Sequence, residues 1–387
     1  MAFSIKKLLT RGINVVSGKA AQIFHRPHKS TAPLADRLLV DAIRIAELPS
    51  PAPGEEPRAA FVLERLNQFG LVPKVTAPGN IMARLHAEEA KDESPILLFT
   101  KLSSERWHPT ECLSRLDEEN AVGAGLSDSL GPAALLSMAE NYASGVFKPG
   151  RDMLLLFTSR SPADLENDFS AILRDPVNRP FAAIGVRGFS LDRIIHSTGS
   201  YCLRITLSTE TNEASNRLTL TLIDIARSVL GITWDGEGKT RLFIRGIEAE
   251  TVYGLTPSEG ILEIEIESIE GALLELAMNA VKATAEKISE AARLKCETLL
   301  LSYIPPGNPE KSGVLFEKVQ TIARDLRLKV HEENGADSAS FFTAEGIPSL
   351  SLGIALGKEG ARTDTIRIDS LEKGRRLLER LIVEAGV

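Results

Sequence analysis

The residue best suited to chemistry in this chain is Asp128, which lies in the segment Ser127-Asp128-Ser129 after two glycines, Gly123 and Gly125. A serine beside a carboxylate can belong to a nucleophilic hydrolase, but such a serine needs a base, and no histidine is placed nearby to act as one. The glycines do not continue as a GxGxxG loop that would cradle a phosphate. These local motifs alone therefore assign no reaction.

Residues that could bind a metal are also sparse. The chain has six histidines, all of them isolated: His25, His28, His86, His108, His196 and His331. Only His108, in SERWHPTEC, lies in a loop that follows a predicted buried strand. Three distant cysteines without a CxxC pair exclude a disulfide framework and a cysteine zinc site. They favour a reducing compartment, so we expect the protein to be cytoplasmic.

The elements around these residues alternate between strands and helices. Short apolar runs at 96–100 and 153–158 are typical of buried strands, and each is followed by a polar loop. Helices are predicted at 34–48, 55–69, 131–143, 310–326, 337–344 and 370–385, and further strands at 81–85, 328–331 and 349–353. From about residue 201 to 305 the pattern changes to strands at 201–207, 242–245 and 260–267 with helices at 216–230 and 271–294. We therefore expect a discontinuous α/β domain (35–200 and 306–387) that carries an inserted α+β domain (201–305).

Charge narrows the classes of partner. The 387 residues carry a net charge of −7, which argues against a basic nucleic-acid binder. Residues 1–34 differ, because they hold six Lys/Arg and no acid. Two interpretations of this basic N-terminal arm stay open: a solvated arm that packs on the body or on a second subunit, or a cationic amphipathic segment at an anionic membrane surface. No apolar run approaches the roughly 18 residues of a membrane-spanning helix.

Several collinear segments resemble one protein family. They are IAELPSPAPGEEPRAAFVLERLNQFG (45–70), PGNIMARL (78–85), GAGLSDSLGPAALL (123–136), LLLFTS (154–159), SEGILEIEIES (258–268), GADSASFFTAEGIPSLSLG (335–353) and RTDTIRIDSLEKG (362–374). The chain is similar in these segments to the co-catalytic zinc exopeptidases and deacylases, the family of peptidase T, glutamate carboxypeptidase, succinyl-diaminopimelate desuccinylase and the aminoacylases. The resemblance implies a three-layer αβα domain with an inserted lid and dimerisation domain, and a homodimer formed through that insertion.

The residues at the family's metal-ligand positions do not match its chemistry. The resemblance places Lys101 and Ser103 where the family has its first His-x-Asp motif, and it places Asp128 at the bridging carboxylate. The family's Glu-Glu pair falls near Ser161-Pro162, the next acidic ligand near Arg187, and the last histidine on Arg362. One ligand in five remains, and two zinc ions need about five close ligands. An arginine that binds a substrate carboxylate falls on Glu267.

Three interpretations follow. The first is a non-catalytic relative without a cofactor, whose former active site binds a small anion through Lys101, Ser103, Asp128, Arg187, Asp337 and Arg362. In it we expect Lys101, Arg187 and Arg362 to point toward Asp128 and one or two of them to pair with it. The second is an active zinc hydrolase with a rearranged site that uses His108, Asp128 and Asp337 or Glu111. The third is a module that binds a membrane surface or a partner through the basic arm.

Overall fold

The computed structural model describes residues 34–50, 54–76, 79–88, 94–104, 113–159, 169–210, 212–232, 239–250, 257–360 and 362–385. These residues belong to one compact unit, Leu34–Val387. The predicted N-terminal arm lies outside the described residues except for Leu34. In the part that is described, no helix is both long enough and apolar enough to cross a membrane.

Helices and strands alternate along the chain. The helices are α1 Leu34–Ala46, α2 Glu56–Gln68, α3 Leu126–Ala143, α4 Asn212–Leu230, α5 Gly271–Ala291, α6 Gly313–Asp325, α7 Ser340–Ala344 and α8 Ile368–Ala385, with a 3-10 turn at Pro309–Ser312. The strands are β1 Lys74–Val75, β2 Ile81–Leu85, β3 Ile96–Lys101, β4 Arg115–Leu116, β5 Asn120–Gly123, β6 Met153–Thr158, β7 Ala182–Arg187, β8 Arg193–Ser208, β9 Thr240–Ala249, β10 Glu259–Ser268, β11 Lys295–Ile304, β12 His331–Ala336, β13 Ser349–Gly353, β14 Gly357–Lys358 and β15 Asp364–Arg367.

The centre of the fold is a run of strands in the order β2, β6, β3, β7 and β13. The pairs β3–β6, β3–β7 and β7–β13 are parallel, so these four strands end at the same edge of the sheet. Their final residues form one row, because Lys101 pairs with Thr158 and Gly353 pairs with Arg187. Polar side chains at the ends of separate strands are thereby brought together.

Both faces of this sheet are covered, which explains why β3 and β6 are almost continuously apolar. Side chains such as Leu98, Leu155 and Ile184 point into one hydrophobic core, which α1, α3 and α8 complete. The alternate side chains, among them Leu97 and Phe99, point into a second core on the opposite face. The predicted three-layer α/β architecture is confirmed.

The inserted segment has a hydrophobic core of its own, built from β8, β10 and helices α4 and α5. Its sheet has the order β11-β8-β10-β9, with antiparallel pairing throughout. Strand β8 is shared: residues 193–198 pair with β12, and residues 200–208 pair with β11. The predicted boundary at residues 200 and 201 therefore falls inside one continuous strand, and the domain limits themselves stay a prediction.

Some elements differ from expectation. Helix α3 begins at Leu126 instead of residue 131, so it takes in Asp128. Strands β7 and β11 were not predicted, and the strand expected at 328–331 lies at His331–Ala336. A separate sheet in the order β14-β15-β5-β4 was also missed, because its strands have two to four residues and carry little periodicity.

Candidate functional site

A cleft of about 1200 Å³ opens at the edge where the parallel strands end. This is the edge at which open α/β sheets generally bind ligands. Five of the six predicted site residues line the cleft: Lys101, Ser103, Asp128, Arg187 and Asp337. The topology therefore brings together residues that are up to 236 positions apart in the chain.

Asp128 lies in the first turn of α3, after Gly125, whose φ of 66° is a left-handed conformation that suits glycine. Lys101 at the end of β3 places its Nζ 3.1 Å from Asp128 Oδ1. The Ser104 hydroxyl donates a hydrogen bond of 2.9 Å to Asp128 Oδ2. The Asp128 side chain is 16% exposed, whereas that of Lys101 is 56% exposed. A cation and a hydroxyl thus engage both carboxylate oxygens.

A second cation, Arg58 on helix α2, lies behind this pair and is completely buried. Its Nη1 donates to the Leu102 carbonyl at 3.0 Å, while Nε and Nη2 have no hydrogen-bond partner among the described residues. Burial lowers the pKa of Arg58 to about 10, and the nearby carboxylates of Asp128 and Glu55 oppose that shift. Asp128 therefore also balances a buried positive charge.

Sequence reasoning missed Arg58, although a signal was present. The buried residues of α2 are Arg58, Val62 and Leu66, spaced four apart. An arginine on the apolar stripe of an amphipathic helix is an anomaly, because buried arginines generally need a partner.

The third cation of the site is Arg187 at the end of β7. Its Nη1 lies 3.1 Å from Asp337 Oδ2, and the exposed fractions of the two side chains are 47% and 5%. The other oxygen of Asp337 accepts hydrogen bonds from the Ser351 hydroxyl at 2.6 Å and from the Ala339 backbone N–H at 2.8 Å. Asp337 is thus fixed on both sides and holds Arg187 at the cleft.

The expected convergence of three cations on Asp128 needs correction. Lys101 reaches Asp128, but Arg187 pairs with Asp337. Arg362 is exposed in the connection between β14 and β15 and is not part of the described cleft lining. The small sheet itself reaches the cleft through Lys358 and Arg367, and Arg362 lies in the exposed connection between its strands β14 and β15.

The residues that are present do not fit a pair of zinc ions. Zinc is held by carboxylate, imidazole or thiolate groups, whereas an ammonium faces Asp128 and a guanidinium faces Asp337 in this cleft. Within the described ranges, no group of three or more His, Cys, Asp or Glu side chains could hold a metal ion. His108, Glu111 and the Ser161-Pro162 segment lie outside the described residues.

The cleft lining is balanced in charge. In the described part it contains five cations and five carboxylates: Lys101, Arg187, Arg193, Lys358 and Arg367, with Asp128, Asp192, Glu333, Asp337 and Glu359. The described lining therefore has no large excess of positive charge, and a cation of the cleft would attract an anion mainly by direct contact.

Glu267 in the inserted segment is also engaged by a cation. Arg241 Nη2 lies 2.6 Å from its Oε2 and also donates to the Asn334 carbonyl at 2.9 Å. Burial raises the pKa of Glu267, and Arg241 opposes that shift. The neighbouring acidic residues of β10, Glu263 and Glu265, pair with arginines on adjacent strands in the same way.

Comparisons with known proteins agree on the fold. No protein-family profile matches the chain, and no curated protein matches it. Solved structures do match. A tripeptidase from Staphylococcus aureus is 15% identical with a TM-score of 0.69, over 91% of this chain and 98% of that one. A dipeptidase from Saccharomyces cerevisiae is 12% identical with a TM-score of 0.72, over 91% and 96%.

A dinuclear metal-binding peptidase of the M20 family from Bacillus subtilis is 13% identical with a TM-score of 0.58, over 91% of this chain and 98% of that one. Likeness at this level of identity establishes the fold. The chain has the zinc-exopeptidase fold with its inserted domain, as the sequence resemblance predicted.

Proposed function

We propose that this chain is a non-catalytic protein of the zinc-exopeptidase fold, whose former active-site cleft binds a small anion. The observation that supports this is the contact of 3.1 Å between Lys101 Nζ and Asp128 Oδ1. Asp128 is the one residue that the resemblance retains as a metal ligand, and its partner is a fixed positive charge.

Charge replacement gives the physical reason. A buried carboxylate without a partner is costly, and a metal ion normally provides the partner in such a site. Here Lys101 and the buried Arg58 face Asp128, while Arg187 faces Asp337. Together these side chains carry three positive charges, against the four that two zinc ions would bring. A zinc ion at Asp128 would have to displace Lys101 and approach a second cation.

Water activation is also unsupported in the described part of the cleft. A general base needs a carboxylate or imidazole that can accept a proton from water. Asp128 and Asp337 already accept from cations and hydroxyl groups on both oxygens. The alternative of an active hydrolase would therefore need a base other than these two carboxylates, such as His108 or Glu111.

Zinc binding and hydrolysis measured on the same sample test this proposal. The full chain is dialysed against excess zinc and then against metal-free buffer, and its zinc content is compared with that of the yeast dipeptidase treated in parallel. We expect less than about 0.1 zinc per chain and no release of amino acids from dipeptides or N-acyl amino acids. One zinc per chain with turnover would overturn the proposal and favour the rearranged active site.

We also propose a homodimer formed through the inserted segment. Strands β9 and β11 are the edges of its described sheet, and an edge strand that stays uncovered invites pairing with another chain. Helix α4 exposes Leu220, Ile223 and Leu230, which lie at helical spacing on one side. Both features are suited to contact with a second copy.

The basic arm supplies the remaining proposal, a contact with anionic membranes. Its six cations without an acid support this on charge alone. Co-sedimentation of the full chain and of a chain starting at Ala35 with phosphatidylserine vesicles tests it. Equal binding by the two chains would rule it out.

A further inference from the structure

Two of the five cations that line the cleft, Lys101 and Arg187, are half-exposed and are neighbours in the sheet. Phe99 on β3 pairs with Gly185 on β7, and both strands continue for two more residues. Because side chains alternate along a strand, Lys101 lies on the same face as Phe99, and Arg187 on the same face as Gly185. Adjacent strands are about 4.8 Å apart, so the two cations leave the sheet side by side.

Each cation is positioned by a carboxylate that is much less exposed than the cation itself. The side chains of Asp128 and Asp337 are 16% and 5% exposed, against 56% and 47% for Lys101 and Arg187. Each carboxylate therefore holds its cation from the more buried side, and the Lys101 ammonium and the Arg187 guanidinium stay accessible from the cleft. Among the described residues, neither Lys101 nor Arg187 makes a second ion pair. Donors thus remain on an ammonium and on a guanidinium that lie next to each other.

The cleft lining also includes an apolar wall, Phe189 and Leu356. Phe189 follows Arg187 by two residues and is half-buried at the cleft, as is Leu356. Both side chains pack against the main hydrophobic core, which holds them in place. Phe99 and Ile304 also line the cleft. The cleft thus offers a bound molecule two adjacent cations together with apolar side chains.

We infer that the cleft binds a monocarboxylate with an apolar chain, its carboxylate on Lys101 and Arg187 and its chain against Phe189 and Leu356. The inference rests on the proposed function, since it places the ligand where zinc would otherwise lie. A carboxylate accepts hydrogen bonds from both cations at once. The balanced charge of the described lining favours a single negative charge over a dianion such as phosphate. The wall gives affinity to a methylene chain that neither phosphate nor acetate possesses.

A chain-length series tests both halves of the inference. The zinc-free protein is titrated calorimetrically with acetate, butyrate and hexanoate, with 1-hexanol as the neutral match and inorganic phosphate as the dianion. Affinity should rise about fourfold for each methylene, which corresponds to about 0.8 kcal/mol. Hexanol and phosphate should each bind at least tenfold more weakly than hexanoate. Equal affinity across the series, or phosphate binding tighter than hexanoate, would overturn the inference.

Single variants distinguish the contribution of the two cations to affinity from that of the apolar wall. Lys101→Met and Arg187→Met should each weaken all three carboxylates about tenfold or more without changing the dependence on chain length. Lys101→Arg should restore binding to within a few fold. Phe189→Ala and Leu356→Ala should leave acetate unchanged and flatten the dependence on chain length. Thermal unfolding of every variant confirms that it is folded.

Lys148→Met is the matched control. Lys148 forms an ion pair with Glu88 away from the cleft, and its side chain is 61% exposed, close to the value for Lys101. Its replacement should leave every affinity unchanged. Loss of binding in this control, or full binding by Lys101→Met, would contradict the assignment. A zinc-free protein that binds none of the carboxylates refutes this inference alone. Stoichiometric zinc with turnover refutes the proposed function.

Discussion

Replacing Asp128 by Asn should destabilise the protein, because Asp128 balances a buried cation. Asparagine keeps a carbonyl oxygen that can accept the hydrogen bond from Ser104, so the change removes mainly the charge. What remains is Arg58, completely buried and facing a neutral amide in place of a carboxylate. An enzyme whose carboxylates wait for a metal should respond in the opposite way. Removing one of several mutually repelling carboxylates commonly stabilises such a site.

The size of the effect follows from the exposure of the two cations. Lys101 is 56% exposed, so solvent screens its pair with Asp128, which contributes at most about 1 kcal/mol. Removing one partner of a buried ion pair costs about 3–5 kcal/mol, which is an upper bound here because Asp128 acts on Arg58 through space and not through a direct ion-pair contact. Glu55 also faces Arg58 and compensates part of the loss, which favours the lower end of that range. We therefore expect the free energy of unfolding to fall by about 3 kcal/mol.

Thermal unfolding followed by circular dichroism measures this change. At about 2 °C per kcal/mol for a chain of this size, the midpoint of Asp128→Asn should fall by about 6 °C. Asp369→Asn is the control, since Asp369 and its partner Arg367 are 63% and 55% exposed. Its midpoint should change by less than about 1 °C. An unchanged or higher midpoint for Asp128→Asn would refute the assignment of Asp128 as a structural counter-ion.

Three further outcomes are expected from other parts of the molecule. Burial tends to raise the pKa of Asp152, but the Ala87 N–H and the Arg84 guanidinium outweigh burial and hold the pKa below its ordinary value of 3.8. Asp152→Asn should therefore unfold at a lower temperature than the parent at pH 7, and the difference should shrink as the pH falls from 3.8 through the lowered pKa of the folded state; a difference that stays constant or grows on acidification would contradict this. Gly188→Ala should lower the free energy of unfolding in a urea titration by about 3 kcal/mol, because its Cβ would lie 1.8 Å from the Ser127 carbonyl oxygen. Gly150→Ala is the control, since its Cβ would meet nothing within 4 Å, and its free energy of unfolding should be nearly unchanged. Light scattering at micromolar concentration should give twice the mass of the chain, and Leu220→Glu should shift it toward the monomer; a parent that is already monomeric removes the case for a dimer.

The layers of the fold could be predicted from the sequence because their signals are local. The runs at Ile96–Lys101 and Met153–Thr158 are apolar throughout since both faces of their sheet are covered. Strand β13 was predicted with the bounds it has, Ser349–Gly353. Strand β7 escaped prediction, because its alanines and glycine carry a weak strand preference. Their small size matters only in the packed sheet, where a Cβ at Gly185 would lie 2.2 Å from Ser351 Oγ.

The partners within the site could not be predicted, because pairing depends on register and on distant loops. The sequence resemblance placed Lys101 and Arg187 at ligand positions, but the partner of Arg187 is Asp337, which lies between β12 and α7 and is held by Ser351 of β13. Arg362 was expected at the cleft, but it lies in the exposed connection between β14 and β15, outside the described lining. Arg58 was not predicted, because the periodicity of α2 indicates a helix without showing that one position of its apolar stripe is an arginine.

The central claim is that Lys101, and not a metal ion, is the partner of Asp128. A crystal structure of the protein grown with zinc, with data collected at the zinc absorption edge, tests it most directly. The account predicts no anomalous peak at Asp128 and Lys101 Nζ within hydrogen-bonding distance of its carboxylate, near the present 3.1 Å. An anomalous peak about 2.0–2.2 Å from an Asp128 oxygen, with Lys101 turned away, would contradict it.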